Sequence, residues 1–175
     1  MSEDFAHRLR LDQIGARTQI EFSADEAECE AIARRLGLTA LGRFEGHALL
    51  SRDGPRVHVE GRVMASLEQS CVVTGEPVAA AVDEPFEIDF VPEPSVAGGE
   101  EEVELGVGDC ETVFYDGAAV DLGATLVDTL ALALDPYPRC AGATAILKEA
   151  GVISEEEAGP FAALAALRDK LGNGP

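Results

Sequence analysis

Hydrophobic positions along the chain repeat first with a helical period, then alternate, then return to a helical period, and each change marks a new element. In "FSADEAECEAIARRLGL" (22–38), Ala27 or Cys29, Ile32, Ala33 and Leu36 share one face. Ser23 with Glu26 three residues on reads as a capping box, and Gly37 closes the helix. The next segment, "TALGRFEGHALLSRDGPRVHVEGRVMASLEQ" (39–69), reads as a long β-hairpin turning at Asp53-Gly54. With those two residues as the loop, Arg52 faces Pro55. Leu50–Val57, Ala48–Val59, Gly46–Gly61 and Phe44–Val63 then form the apolar face. The opposite face carries Ser51–Arg56, Leu49–His58, His47–Glu60 and Glu45–Arg62, with Arg43 beyond.

The parity of the second strand continues inward through Val63, Ala65, Leu67, Gln69, Cys71 and Val73, so Cys71 is expected on the buried side. "TGEP" (74–77) is a turn. "VAAAVDEPFEIDFV" (78–91) alternates again, with Val78, Ala80, Val82, Phe86, Ile88 and Phe90 on one face and Asp83, Glu87 and Asp89 on the other. Pro85 points to an edge position or a bulge. Residues 92–109 read as an acidic loop holding at most a short strand, and "ETVFYDG" as a strand ending in a turn. Asp121 caps "LGATLVDTLALAL", whose Leu122, Leu126, Leu130, Ala133 and Leu134 form a broad apolar face, and "DPYPRCAG" with Pro136 stops that helix.

These elements predict an α+β fold: an antiparallel, curved or barrel-like sheet with two main helices packed on it. One domain is expected over residues 1–142. Residues 143–175 form a C-terminal tail with a short amphipathic helix around "AGPFAALAALRDKL".

Charge changes the picture more than composition does. The formal charge is −20 over 175 residues, and it is concentrated. Residues 1–62 hold nine Lys/Arg and eleven Asp/Glu, whereas residues 63–138 hold no Lys or Arg and seventeen Asp/Glu. Such a field repels phosphate backbones and attracts basic partners. The start "MSEDFAHRLRLDQIGA" lacks an apolar signal core and no run approaches eighteen apolar residues, so a cytoplasmic protein with no membrane partner is expected.

Chemistry finds little purchase. No GxSxG elbow, phosphate loop or GxGxxG follows a strand, and the four cysteines (Cys29, Cys71, Cys110, Cys140) include no CxxC pair. Neither metal nor cofactor is expected, and the cysteines read as free thiols. His47 and His58 sit among carboxylates, an ion-pairing setting. For a partner, the candidate contacts are Arg43, His47, Arg56, His58 and Arg62, with Asp83, Glu87 and Asp89 on the acidic side.

The order of motifs resembles the YceD family, which is linked to accumulation of large-subunit ribosomal RNA. The matching stretches are "QSCVVTGEPV" (69–78), "PFEIDFVPEP" (85–94), "VDLGATLVDTLALALDPYPRCAGA" (120–143) and "PFAALAAL" (160–167). Where the family often reads Arg-Cys-Leu-x-Pro, this chain has Ser70-Cys71-Val72-Val73. The resemblance implies a non-enzymatic factor for the large ribosomal subunit that supports synthesis, processing or stability of 23S rRNA. Its partner would be a large-subunit ribosomal protein or an rRNA precursor. It supplies no catalytic residues, and Cys71, Pro77, Asp121 and Pro136 are expected to be structural. The alternative is an enzyme using Cys71, a hydrolase or an RNA-modifying protein.

Overall fold

The computed structural model describes Phe5 and residues 7–93, 111–117 and 119–152. Strand β1 (Arg8–Arg10) pairs antiparallel with β7 (Ala119–Asp121) in a small two-stranded sheet. The main sheet has five strands in the order β2 (Thr18–Ser23), β3 (Ala40–Asp53), β4 (Arg56–Ser70), β5 (Pro77–Pro92) and β6 (Glu111–Tyr115). All neighbours are antiparallel except β5 and β6, which run parallel. Helix α1 (Glu26–Leu36) follows β2, α2 (Leu122–Ala133) follows β7, and α3 (Ala143–Glu149) follows the stop segment.

The fold is therefore α+β and mostly antiparallel, as expected, but it is not a barrel. Among the described residues β2 and β6 end the strand order without pairing to each other. Closure requires that last pairing. The proposed tail helix and most of the acidic loop lie outside the described residues, while α3 forms just beyond residue 142, where the sequence pattern placed no helix.

Helix α1 is capped two residues later than the sequence pattern suggested. Ser23 is still paired with Glu45 in the β2–β3 ladder, so it is not available as a cap. Asp25 caps instead: its carboxylate accepts from Glu28 N–H at 2.9 Å, and Glu28 accepts from Asp25 N–H at 2.8 Å. Gly37 closes the helix at φ +66°, and the buried face is Cys29, Ile32 and Ala33 while Ala27 is exposed.

The hairpin register differs from expectation by two residues. Asp53 pairs with Arg56, so the loop is Gly54-Pro55, with Gly54 at φ +58° and the proline ring holding the next φ negative. That sequence of signs is the one a type II′ turn needs, and it suits Pro55 where an Asp-Gly type I′ loop does not. Leu50 consequently pairs with Val59, Ala48 with Gly61 and Gly46 with Val63. A slip of two leaves every side chain on its own face, so the inward and outward sorting survives. Phe44, Ala48, Leu50, Val57, Val59 and Val63 are all buried. An irregularity between Leu41 and Arg43 brings Leu41 inward as well as Phe44.

Two glycines make room for rings. Phe22 lies opposite Gly46 and Phe86 opposite Gly61. A Cβ at Gly46 would sit 2.5 Å from the Phe22 ring and 2.1 Å from Arg62 O, and one at Gly61 would sit 2.8 Å from the Phe86 ring. The apolar sides of β3, β4 and β5 share one core with α1 residues Cys29 and Ile32 and α2 residues Leu122, Leu126, Val127 and Leu130. Each fully buried Leu, Ile or Phe of that core contributes about 1.5–3 kcal/mol relative to exposure.

Candidate functional site

Two places on the molecule gather polar chemistry. The first is the outward face of the main sheet. Glu21, His47, Arg62 and Pro85 stand in register across β2 to β5, and Gln19, Leu49, Glu60 and Glu87 form the next row. Between them is an open depression of about 720 Å³ lined by Arg17, His47, Glu60, Arg62 and Glu87 among others.

The three candidate arginines on this face all meet carboxylates. Arg62 donates to Asp83 and Arg43 to Glu45, and Arg56 lies 3.6 Å from Asp89. His58 Nδ1 is 3.0 Å from Asp89 Oδ1, and its Nε2 is 3.8 Å from Glu87. Asp89 is the one buried carboxylate of the set, 8% exposed, held between Arg56 and His58. The structure thus collects Arg56, His58, Glu87 and Asp89 at the turn end of the sheet. Arg62 and Asp83 sit in its middle, and Arg43 with Glu45 lies toward the far end. His47 is exposed between Glu21 and Arg62. Pro85 pairs with Arg62 just before β6 joins β5 at Ile88, so among the described residues β5 has β4 as its neighbour there, an edge position that suits a proline.

The second place is a junction that the sequence reading did not foresee. Cys71, 3% exposed and just past the end of β4, was expected to stand without a partner. Its sulfur lies 3.5 Å from that of Cys140, 69 positions away. Cys140 N–H donates to Cys71 Sγ at 3.3 Å, and Thr74 Oγ1 is 3.4 Å from Cys140 Sγ.

Local geometry explains the meeting. Past Ser70 the chain turns tightly: Gly75 N–H donates to Cys71 O and Cys71 N–H to Glu76 O, both at 2.8 Å, with Gly75 at φ +76°. Pro77 then opens β5 opposite Ser70. At the other side Asp121 caps α2 by accepting from Ala124 N–H at 3.2 Å. After α2, Asp135 accepts from Tyr137 N–H at 2.8 Å, bending the segment that contains Pro136. Two hydrogen bonds fasten the bent segment to the turn: Gln69 Nε2 to Asp135 O and Val72 N–H to Pro138 O, both 2.9 Å. The motif residues Cys71, Pro77 and Pro136 therefore lie in or beside this junction, while Asp121 caps the opposite end of α2.

The surroundings set the two buried thiols apart. Burial raises the Cys29 thiol above its ordinary range, with the Glu28 and Asp25 charges adding to it. Cys71 goes the other way, from 9.0 to about 6, because Cys140 N–H and then Thr74 hydrogen-bond its sulfur and outweigh desolvation. The donors around Cys71 are backbone amides and a hydroxyl rather than an imidazole, and its own S–H is aimed at Cys140 Sγ. The described cysteines are free. Among the described residues no three His, Cys, Asp or Glu side chains cluster as a metal site, and no helix is long and apolar enough to cross a membrane.

The partnership of Cys71 with Cys140 had one signal in the sequence: both fall inside motif-bearing stretches, 69–78 and 120–143. Spacing alone did not connect them. A family model described as "Large ribosomal RNA subunit accumulation protein YceD" matches residues 59–168, from the first turn-side residues of β4 through the junction and beyond α3. No curated protein and no solved structure matches the chain.

Proposed function

The chain belongs to the YceD family, and from that premise we propose that it is a non-enzymatic, cytoplasmic factor supporting large-subunit rRNA by holding a basic ribosomal protein against its acidic surface. The observation that carries the mechanism is the pairing of Arg43, Arg56 and Arg62 with carboxylates on the sheet face. A guanidinium already satisfied by a carboxylate must break that pair before it can grip a phosphate, and the carboxylates around it repel the phosphate backbone. The same face presents Glu21, Glu60 and Glu87 toward a cationic client. Residues 63–138, which carry no Lys or Arg, extend the acidic field and favour fast association with such a client.

The test is a salt titration of the purified protein against a basic large-subunit ribosomal protein and against a large-subunit rRNA fragment. Binding to the protein is expected, weakened about tenfold or more by the pair Glu87→Lys and Asp83→Lys. Tight RNA binding whose salt slope falls by about one on Arg62→Ala would overturn the protein-partner mechanism in favour of direct RNA contact. Binding to neither at low salt would sink both.

One observation favours a second reading, an enzyme using Cys71, and that is its lowered thiol pKa. A lowered pKa supplies a nucleophile, but group transfer also needs an acid to protonate the leaving group, and the groups that hydrogen-bond the sulfur include no imidazole or carboxyl. Steady turnover of an activated ester, lost on Cys71→Ser, would establish this reading.

A further inference from the structure

We propose that Cys71 and Cys140 are a covalent modification site, a dithiol that undergoes exchange with a small-molecule disulfide and closes to a reversible intramolecular disulfide. The sulfurs stand 3.5 Å apart, so closing to a bond of about 2.05 Å needs only about 1.5 Å of side-chain movement. Gln69 to Asp135 O and Val72 N–H to Pro138 O already hold the two segments side by side. Cys29 is not a competitor on geometry: its Sγ lies 4.0 Å from Ala24 O on the buried side of α1.

Exposure orders the steps. Cys140 is half-buried and Cys71 is buried, so the incoming reagent meets Cys140 first. Cys140 loses its proton to water and its thiolate attacks one sulfur of the disulfide RSSR. The S–S bond breaks, RS⁻ leaves and takes up a proton, and a mixed disulfide remains on Cys140. The Cys71 thiolate then attacks Cys140 Sγ, forming the Cys71–Cys140 bond and expelling the second RS⁻, which takes the proton Cys71 had given up. Two protein thiols are oxidised and one RSSR is reduced to two RSH. The hydrogen bond from Cys140 N–H to the Cys71 sulfur favours its thiolate, the nucleophile of the second step. The new bond fastens the β4–β5 turn, with exposed Val72, to the segment leaving α2, with exposed Tyr137.

The test uses the full reduced chain, a chelator and glutathione disulfide, read by intact mass and peptide mapping. The wild type is expected to lose two thiol hydrogens, retain no glutathione, and yield a Cys71–Cys140 cross-linked peptide that dithiothreitol reverses. Cys71→Ser is expected to stall with glutathione on Cys140, and Cys140→Ser to leave Cys71 unmodified. A cross-link to Cys29 or Cys110, a lasting glutathione adduct on the wild type, or no loss of thiols overturns the proposal. So does modification of Cys71 in Cys140→Ser at the wild-type rate. Mapping of the wild type decides the matter by itself should either variant fail to fold.

Discussion

Along β4, His58 and Arg62 lie on the polar side of the sheet among carboxylates of the neighbouring strands. Cys71, just past the end of the same strand, is buried against a segment 69 positions away. The two regions spend their polar groups differently. On the sheet face most ion pairs are partly wet, and Asp89, buried between Arg56 and His58, is the carboxylate that depends on its partners. At the junction Gln69, Val72, Cys71, Thr74 and Cys140 depend on one another, because each bond positions the donor or acceptor of the next. An exposed surface tolerates exchange and suits a changing partner, while a stitched junction suits a constant architecture.

The comparison breaks first beneath the polar face. Gly46→Val puts a branched side chain where the Phe22 ring and Arg62 O already stand, and a loss of roughly 3 kcal/mol or more is expected in urea unfolding. If the variant keeps wild-type stability, the close Gly–Phe packing is wrong. Next comes the junction: Gln69→Ala leaves the Asp135 carbonyl without its donor, at a cost of about 1–3 kcal/mol. Faster hydrogen exchange should appear at Val72 N–H. An unchanged exchange rate there would show that the turn and the α2 exit are independent.

Asp121→Ala removes the α2 cap, and a loss of about 1 kcal/mol is expected, most of it recovered by Asp121→Asn. A pH effect is also expected at Cys71. Its folded-state pKa is lowered, so its thiolate contributes stability that is complete above the ordinary 9.0 and lost as pH falls through about 6. The wild type should therefore gain stability over Cys71→Ser between those values, and parallel curves would remove the thiolate. Smallest is the surface pair: a double-mutant cycle on Arg62 and Asp83, both well exposed, should give a coupling of about 0.2–1 kcal/mol that fades with salt.

Much of the hairpin was legible because its signals are local. Alternation over β3, β4 and β5 sorted Phe44, Val59, Ile88 and Asp83 to their observed faces, and Asp121 and Gly37 end or begin helices as their chemistry predicts. Asp25 rather than Ser23 took the α1 cap because β2 runs on to Ser23, a pairing made with β3. The hairpin register moved by two residues because Pro55 belongs in the loop, and period two cannot distinguish that shift.

Within the chain itself, then, lay the faces of the strands, the inward aim of Cys71, the acidic field and the membership of a family matched over residues 59–168. Each of these follows from neighbours in sequence or from ordered motifs. Tertiary structure alone decided that β6 runs parallel to β5, that the sheet of the described residues stays open, and that Cys140 arrives at Cys71. The physical reason is common to all three. Each joins segments far apart in the chain, and no periodicity within either segment records where the other will lie.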